Sequence, residues 1–190
     1  VGPDPTAPAS VKVFRWDTGD LNETSCACPD DVRALPIGED FIWLDVHGTH
    51  DAALIEAIGA RFGIHALALE DVMNANQRPK LDTYDQYFLL VMKMMYPGDH
   101  RHSVHVEQVS VVVSEKWLIT FQEPGGDTFE SVRNRLRAKK IQGRGQGVDY
   151  LAYSLIDSVV DQYFAILEDY GELLEKIEQR ALARPDSRTT

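Results

Sequence analysis

Apolar and polar positions alternate in "VKVFRW", from Val11 to Trp16, with the period of a strand that buries one face. "FIWLDV", from Phe41 to Val46, is instead a mostly apolar run with an acid near its end, as in a buried strand. The period then changes. Leu54, Ile55, Ile58 and Phe62 recur at helical spacing after Thr49 to Asp51, which can cap a helix start, and Gly63 closes the pattern. A second helix fits Ala66 to Asn74, because Pro79 and the Asn/Gln-rich approach to it stop the repeat. Gln86 to Tyr96 and His105 to Ser114 are apolar runs on either side of the turn-rich "PGDHRHS", and Lys116 to Gln122 follows a short turn. These predict three consecutive antiparallel strands.

"DTFESVRNRLRAKK", Asp127 to Lys140, places Phe129, Val132 and Leu136 on one helical face, with acids early and bases late as the helix dipole favours. From Val148 onward, Leu155, Val159, Tyr163, Ile166, Tyr170, Leu173 and Ile177 recur at spacings of three and four, predicting a long helix with one packing seam. Such a helix outreaches a compact domain. "SCACPDDVRALPIGED", broken by Pro29 and Pro36, reads as a loop, and "GRGQG", Gly143 to Gly147, as a linker without the strand–turn–helix context of a phosphate cradle. Strands grouped between helices predict an α/β or α+β sheet covered by helices. The expected organisation is a disordered segment at 1–10, an α/β domain at 11–147, a long acidic helix at 148–183 and a truncated tail at 184–190, the whole a piece of a longer protein.

Composition narrows the partners. The chain has 190 residues and a net charge of −11, so it repels nucleic acid and anionic lipid and favours cations or basic partners. Cys26 and Cys28 are its only cysteines, too few for a structural zinc site, and are expected to be reduced thiols. No run approaches the 18 or so apolar residues of a membrane-spanning helix. Nucleophile-elbow, phosphate-loop, dinucleotide and zinc-protease motifs do not occur.

Candidate ligands fall in three groups. "DVHGTHD" offers Asp45, His47, His50 and Asp51, and "HRHSVH" offers His100, His102 and His105; both read either as solvated loops or as imidazole donors for Zn²⁺, Co²⁺ or Ni²⁺. On the long helix Asp161, Glu168, Glu172 and Glu175 share a stripe, with Asp157 one turn before Asp161 and Lys176 the nearby base. That stripe is either a soluble helix face or a surface for a cation or basic partner. Glu70 and Asp71 adjoin at the end of the second helix, as solvated surface or as oxygen donors for a hard ion such as Mg²⁺. The basic run Arg133, Arg135, Arg137, Lys139, Lys140 and Arg144 reads as a solvated helix end or as a contact to acidic helices of a neighbouring subunit.

"WLDVHGTHD", "FGIHALALEDVMNANQRPKLDTYDQYFLLVMKMMY", "EQVSVVV", "LITFQE", "GDTFESVRNRLR" and "DYLAYSLIDSVVDQYFAILE" together resemble the cytoplasmic amino-terminal domain of the CorA family of magnesium and cobalt transporters, from about Phe41 to Glu178. The resemblance implies a helix–sheet–helix sandwich with a mixed sheet, followed by a long acidic helix of the willow type. It also implies a regulatory rather than an enzymatic role, in a homopentamer anchored through membrane helices on the cytoplasmic side of the inner membrane. Glu70 and Asp71 match the family's inter-subunit Mg²⁺ site, and Asp157 matches an acid of a second such site. Asp161, His47, His50, His100 and His102 are further candidates, with Co²⁺ or Zn²⁺ as other ions. The histidine clusters depart from the family pattern, which keeps a ZntB-like zinc transporter open. A metal-dependent enzyme built on Asp45, His47, His50 and Asp51, and a pure assembly module, are the readings from other classes.

Overall fold

The computed structural model describes residues 8–17, 19–98, 103–123, 128–138 and 147–183. Seven strands form one sheet: β1 (Ser10–Trp16), β2 (Leu21–Cys26), β3 (Phe41–His47), β4 (Lys80–Thr83), β5 (Tyr87–Pro97), β6 (Val104–Ser114) and β7 (Trp117–Gln122). Their spatial order is β2-β1-β3-β7-β6-β5-β4. The β5, β6 and β7 meander is antiparallel as expected, while β3 runs parallel to β7, so the sheet is mixed. A parallel pair needs a crossover, and two helices lie between β3 and the meander: α2 (Ala52–Phe62) and α3 (Ala66–Met73). Asp51 caps α2 by accepting from the Leu54 amide at 3.0 Å. Gly63, at φ 70°, ends it in the left-handed conformation that glycine adopts without strain.

Side chains alternate across the sheet into two cores. Val11, Val13, Ile42, Leu44, Val46, Ile119 and Phe121 meet Leu54, Ile55, Ile58 and Phe62 of α2 and Ala68, Leu69 and Val72 of α3. Phe14, Trp43, Val109, Val111 and Leu118 meet the other layer, α4 (Glu130–Arg137) and α5 (Val148–Ala183). There Phe129, Val132 and Leu136 are fully buried, as their common face predicts. The architecture is the expected helix–sheet–helix sandwich followed by a long helix.

Four elements depart from the sequence pattern. β2 forms within "LNETSC" as an edge strand whose middle residues are all exposed, and the supposed loop after it contains a short helix, α1 (Pro29–Arg33), with Val32 buried. β4, four residues long, exists as the partner of β5 at the opposite edge. β1 already opens at Ser10, inside the segment expected to be disordered, with Ala9 against the core. Residues 1–7 and 184–190 lie outside the described residues, as do His100, His102, Lys139, Lys140, Arg144 and most of the glycine-rich linker.

α5 has 36 residues, and its sheet-facing side chains are buried only as far as Val159. The predicted seam leaves the domain near Tyr163. Beyond it Ile166 and Leu173 are half-buried, whereas Phe164, Leu167, Leu174, Ile177 and Leu182 are exposed. Among the described residues no helix is long and apolar enough to cross a membrane.

Candidate functional site

The first histidine cluster does not assemble as a ligand set. Asp45 is fully buried near the end of β3, where its carboxylate takes Thr120 Oγ1 at 2.9 Å, Gln122 Nε2 at 2.9 Å and the Arg133 guanidinium reaching in from α4. His47 Nε2 lies 3.3 Å from the same carboxylate and 3.4 Å from Gln122 Nε2. Burial disfavours the Asp45 charge, but the hydrogen bond and charge of His47, then Arg133 and Thr120, outweigh it and hold the carboxyl below the usual carboxylate range. His50 is exposed, and Asp51 is committed to its capping bond. Asp45 is thus committed to a cation of its own chain. Arg133, expected on a solvated face, is fully buried and joins α4 to the sheet, with its Nε also on Glu130 at 2.9 Å. The sequence singled out this residue but not its buried role, because its partner stands 88 positions away.

The acid pair sits at the last turn of α3. Adjacent helical residues diverge by about 100° around the axis, so the two carboxylates face different surroundings. Glu70 is exposed, and among the described residues no cation pairs with it. Asp71 is half-buried; its carboxylate accepts from the Gln77 side-chain amide and from Lys80 Nζ at 2.7 Å. Lys80 also lies 2.8 Å from Asp82, and the two hydrogen-bonded carboxylates push its ammonium pKa up. The frame around the pair is fixed from the sheet. Gln108 Nε2 donates to the Asp71 carbonyl at 3.0 Å, and Lys93 Nζ donates to the Ala75 carbonyl at 2.8 Å. The motif thus holds one solvent-facing carboxylate beside one that is neutralised internally. Its donors are oxygens, which suits a hard cation that keeps most of its water, but two carboxylates from one chain complete no cage. Among the described residues, no group of three or more His, Cys, Asp or Glu side chains stands in a metal-holding arrangement.

Asp157 lies elsewhere. It is half-buried on α5, in the layer opposite α3, beside Ser158, whose hydroxyl donates to the Thr128 carbonyl at 3.0 Å. The sheet therefore separates Asp157 from Glu70 and Asp71, and one chain does not bring the three together. Asp161, Glu168, Glu172 and Glu175 are all exposed, and Lys176 pairs with Glu172 at 3.1 Å.

In the first half of β6, two residues from His105, stands a second buried acid that the sequence did not single out. Glu107 is 3% exposed, accepts from the Tyr96 hydroxyl and leaves its other oxygen without a hydrogen bond. Burial, aided by the nearby Glu123 charge, pushes its pKa up despite the Tyr96 hydrogen bond.

Comparison with known proteins places this geometry. The family described as CorA-like Mg²⁺ transporter protein matches residues 38–189. A cobalt/magnesium transport protein, CorA of Thermotoga maritima, is 38% identical over 179 residues, which is 94% of this chain and 51% of that protein. The chain therefore spans about half the length of that relative. Among solved structures, the soluble domain of CorA from Methanocaldococcus jannaschii superposes with a TM-score of 0.67 at 15% identity, over 93% of this chain and 67% of the other. The ZntB cytoplasmic domain from Vibrio parahaemolyticus gives 0.68 at 11% identity, over 96% and 68%. At those identities the two structures show a shared fold. The family match over most of the chain, together with the Thermotoga relative, carries the conclusion that this chain belongs to the CorA-like Mg²⁺ transporter family.

Proposed function

We propose that this chain is the cytoplasmic regulatory domain, 11–147 with the helix 148–183, of a divalent-cation transporter working as a homopentamer in the inner membrane. Its acids Glu70 and Asp71 sense Mg²⁺ at the boundary with a neighbouring subunit. The observation that carries the reading is the placement of Glu70: an exposed carboxylate without an intramolecular cation among the described residues, on a helix end pinned by Gln108 and Lys93. A soluble helix needs no acid there, since the C-terminal end of the helix dipole disfavours negative charge. Asp157, on the other side of the sheet, belongs to a second contact with a different surface.

Mg²⁺ is favoured over Zn²⁺ or Co²⁺ as the regulatory ion because the outward donors are carboxylate oxygens, while His47 is committed to Asp45 and Gln122. The zinc-transporter alternative shares the fold, and the oxygen donors of the acid pair support the magnesium reading. An enzyme centred on Asp45 is disfavoured, since Arg133 takes that carboxylate and the family is one of transporters. An ion bound more tightly by the closed assembly than by the open one closes it, by no more than the difference in affinity. The test is flux through the full-length transporter in liposomes against internal Mg²⁺. Glu70→Gln, Asp71→Asn and Asp157→Asn should each raise the half-closing Mg²⁺ concentration severalfold without loss of folding. Unchanged midpoints in all three would refute the assignment.

A further inference from the structure

Asp71 already has a cation. Lys80 Nζ sits 2.7 Å from its carboxylate and 2.8 Å from Asp82, one ammonium spanning two acids. The arrangement is built in rather than incidental. Pro79 fixes the backbone immediately before Lys80, β4 holds Lys80 opposite Val91, and the amide of Gln77 fills another acceptor position on Asp71. The Lys80 side chain is 31% exposed and that of Asp71 17%, so the pair is partly shielded from water. A divalent cation taking Asp71 directly must therefore displace an ammonium that is tethered nine residues away. When that ammonium leaves Asp71 it keeps Asp82, so the exchange gives up one of its two partners rather than both.

We propose that Lys80 is an intramolecular competitor that sets the divalent-ion threshold of the acid pair: at low concentration the ammonium holds Asp71, and at high concentration it retreats to Asp82. The inference rests on the sensing role proposed above and adds the residue that tunes it. Glu70 is the open carboxylate and Asp71 the gated one. Occupancy of both requires more divalent ion than two free acids would.

The test uses the 190-residue chain, ¹⁵N-labelled, with Mn²⁺ as a paramagnetic probe and broadening of the α3 amides (66–73) as readout. Lys80→Met should lower the Mn²⁺ midpoint about fivefold, the range of a partly exposed ion pair, and Lys80→Arg should stay near wild type. Arg78→Gln removes the same charge from an exposed position two residues earlier and should move the midpoint less than about twofold. Broadening of α3 in every variant with a common midpoint would overturn the competitor role and leave the site standing. Equal shifts in Lys80→Met and Arg78→Gln would overturn it too, as a general field effect. No broadening at α3 in any variant, at Mn²⁺ concentrations high enough to saturate free carboxylates, would overturn direct ion binding by this acid pair and this inference with it, while the flux test above decides the inter-subunit sensing role separately.

Discussion

Replacing Arg133 by Met removes the charge that faces Asp45 in a fully buried pair while keeping much of the side chain's apolar volume. Losing one member of such a pair costs about 3–5 kcal/mol, because the remaining charge is left in a poor dielectric. Asp45 keeps Thr120 and Gln122, each at 2.9 Å, and His47 at 3.3 Å, so the lower end of that range applies, about 3 kcal/mol. Glu130, about half exposed, keeps Arg137 at 3.0 Å, so its loss of Arg133 costs little. With a urea m-value of about 2 kcal/mol/M for a domain of this size, the unfolding midpoint should fall by about 1.5 M. Adding Asp45→Asn to Arg133→Met removes the stranded charge and should recover about 1–2 kcal/mol, a coupling visible only if the two groups interact. Arg33→Ala, which breaks a pair 2.6 Å long but largely exposed, is the control and should move the midpoint by less than about 0.3 M. Urea unfolding followed by tryptophan fluorescence reads wild type, Arg133→Met, Asp45→Asn alone, the double mutant and Arg33→Ala. A fall below about 0.5 M for Arg133→Met, or an additive double mutant, would refute the claim that this buried pair clamps α4 to the sheet.

Two further outcomes follow from single side chains. Glu107 has a folded pKa above its ordinary 4.5, so the folded state binds the extra proton and stability declines as pH rises through the folded value; Glu107→Gln should flatten that decline in urea midpoints compared between pH 5 and pH 8. Asp51→Ala removes the α2 cap and should cost about 1 kcal/mol, read by the same denaturation at pH 7.

What the sequence disclosed was whatever repeats locally. α2 and its ends were legible because Asp51, Gly63 and four apolar residues lie within 13 positions, and the β5–β7 meander because each strand is a long apolar run. β2 was hidden because its middle residues face water on both sides, so no period distinguishes it from a loop. β4 was hidden because four residues after a proline acquire strand geometry from β5 rather than from their own composition. The acid pair stood out in the sequence, yet the difference between Glu70 and Asp71 did not. That difference comes from helix azimuth and from Lys80 folding back across the turn. Arg133 shows the same limit more strongly: a basic residue in a basic run looks solvated until the fold brings an aspartate from a distant strand against it.

Lys93 touches both ends of the molecule's geometry. Its ammonium holds the Ala75 carbonyl just beyond the acid pair, and its own carbonyl receives the Tyr163 hydroxyl of α5. From Tyr163 to Ala183 the helix continues for about 30 Å at roughly 1.5 Å per residue. Over that length a tilt of about 10° would carry the far end about 5 Å. One lysine thus ties the loop beyond the acid pair to the point where the long helix leaves the sheet, the place from which a small tilt would be read out as a displacement about as large as a helical turn.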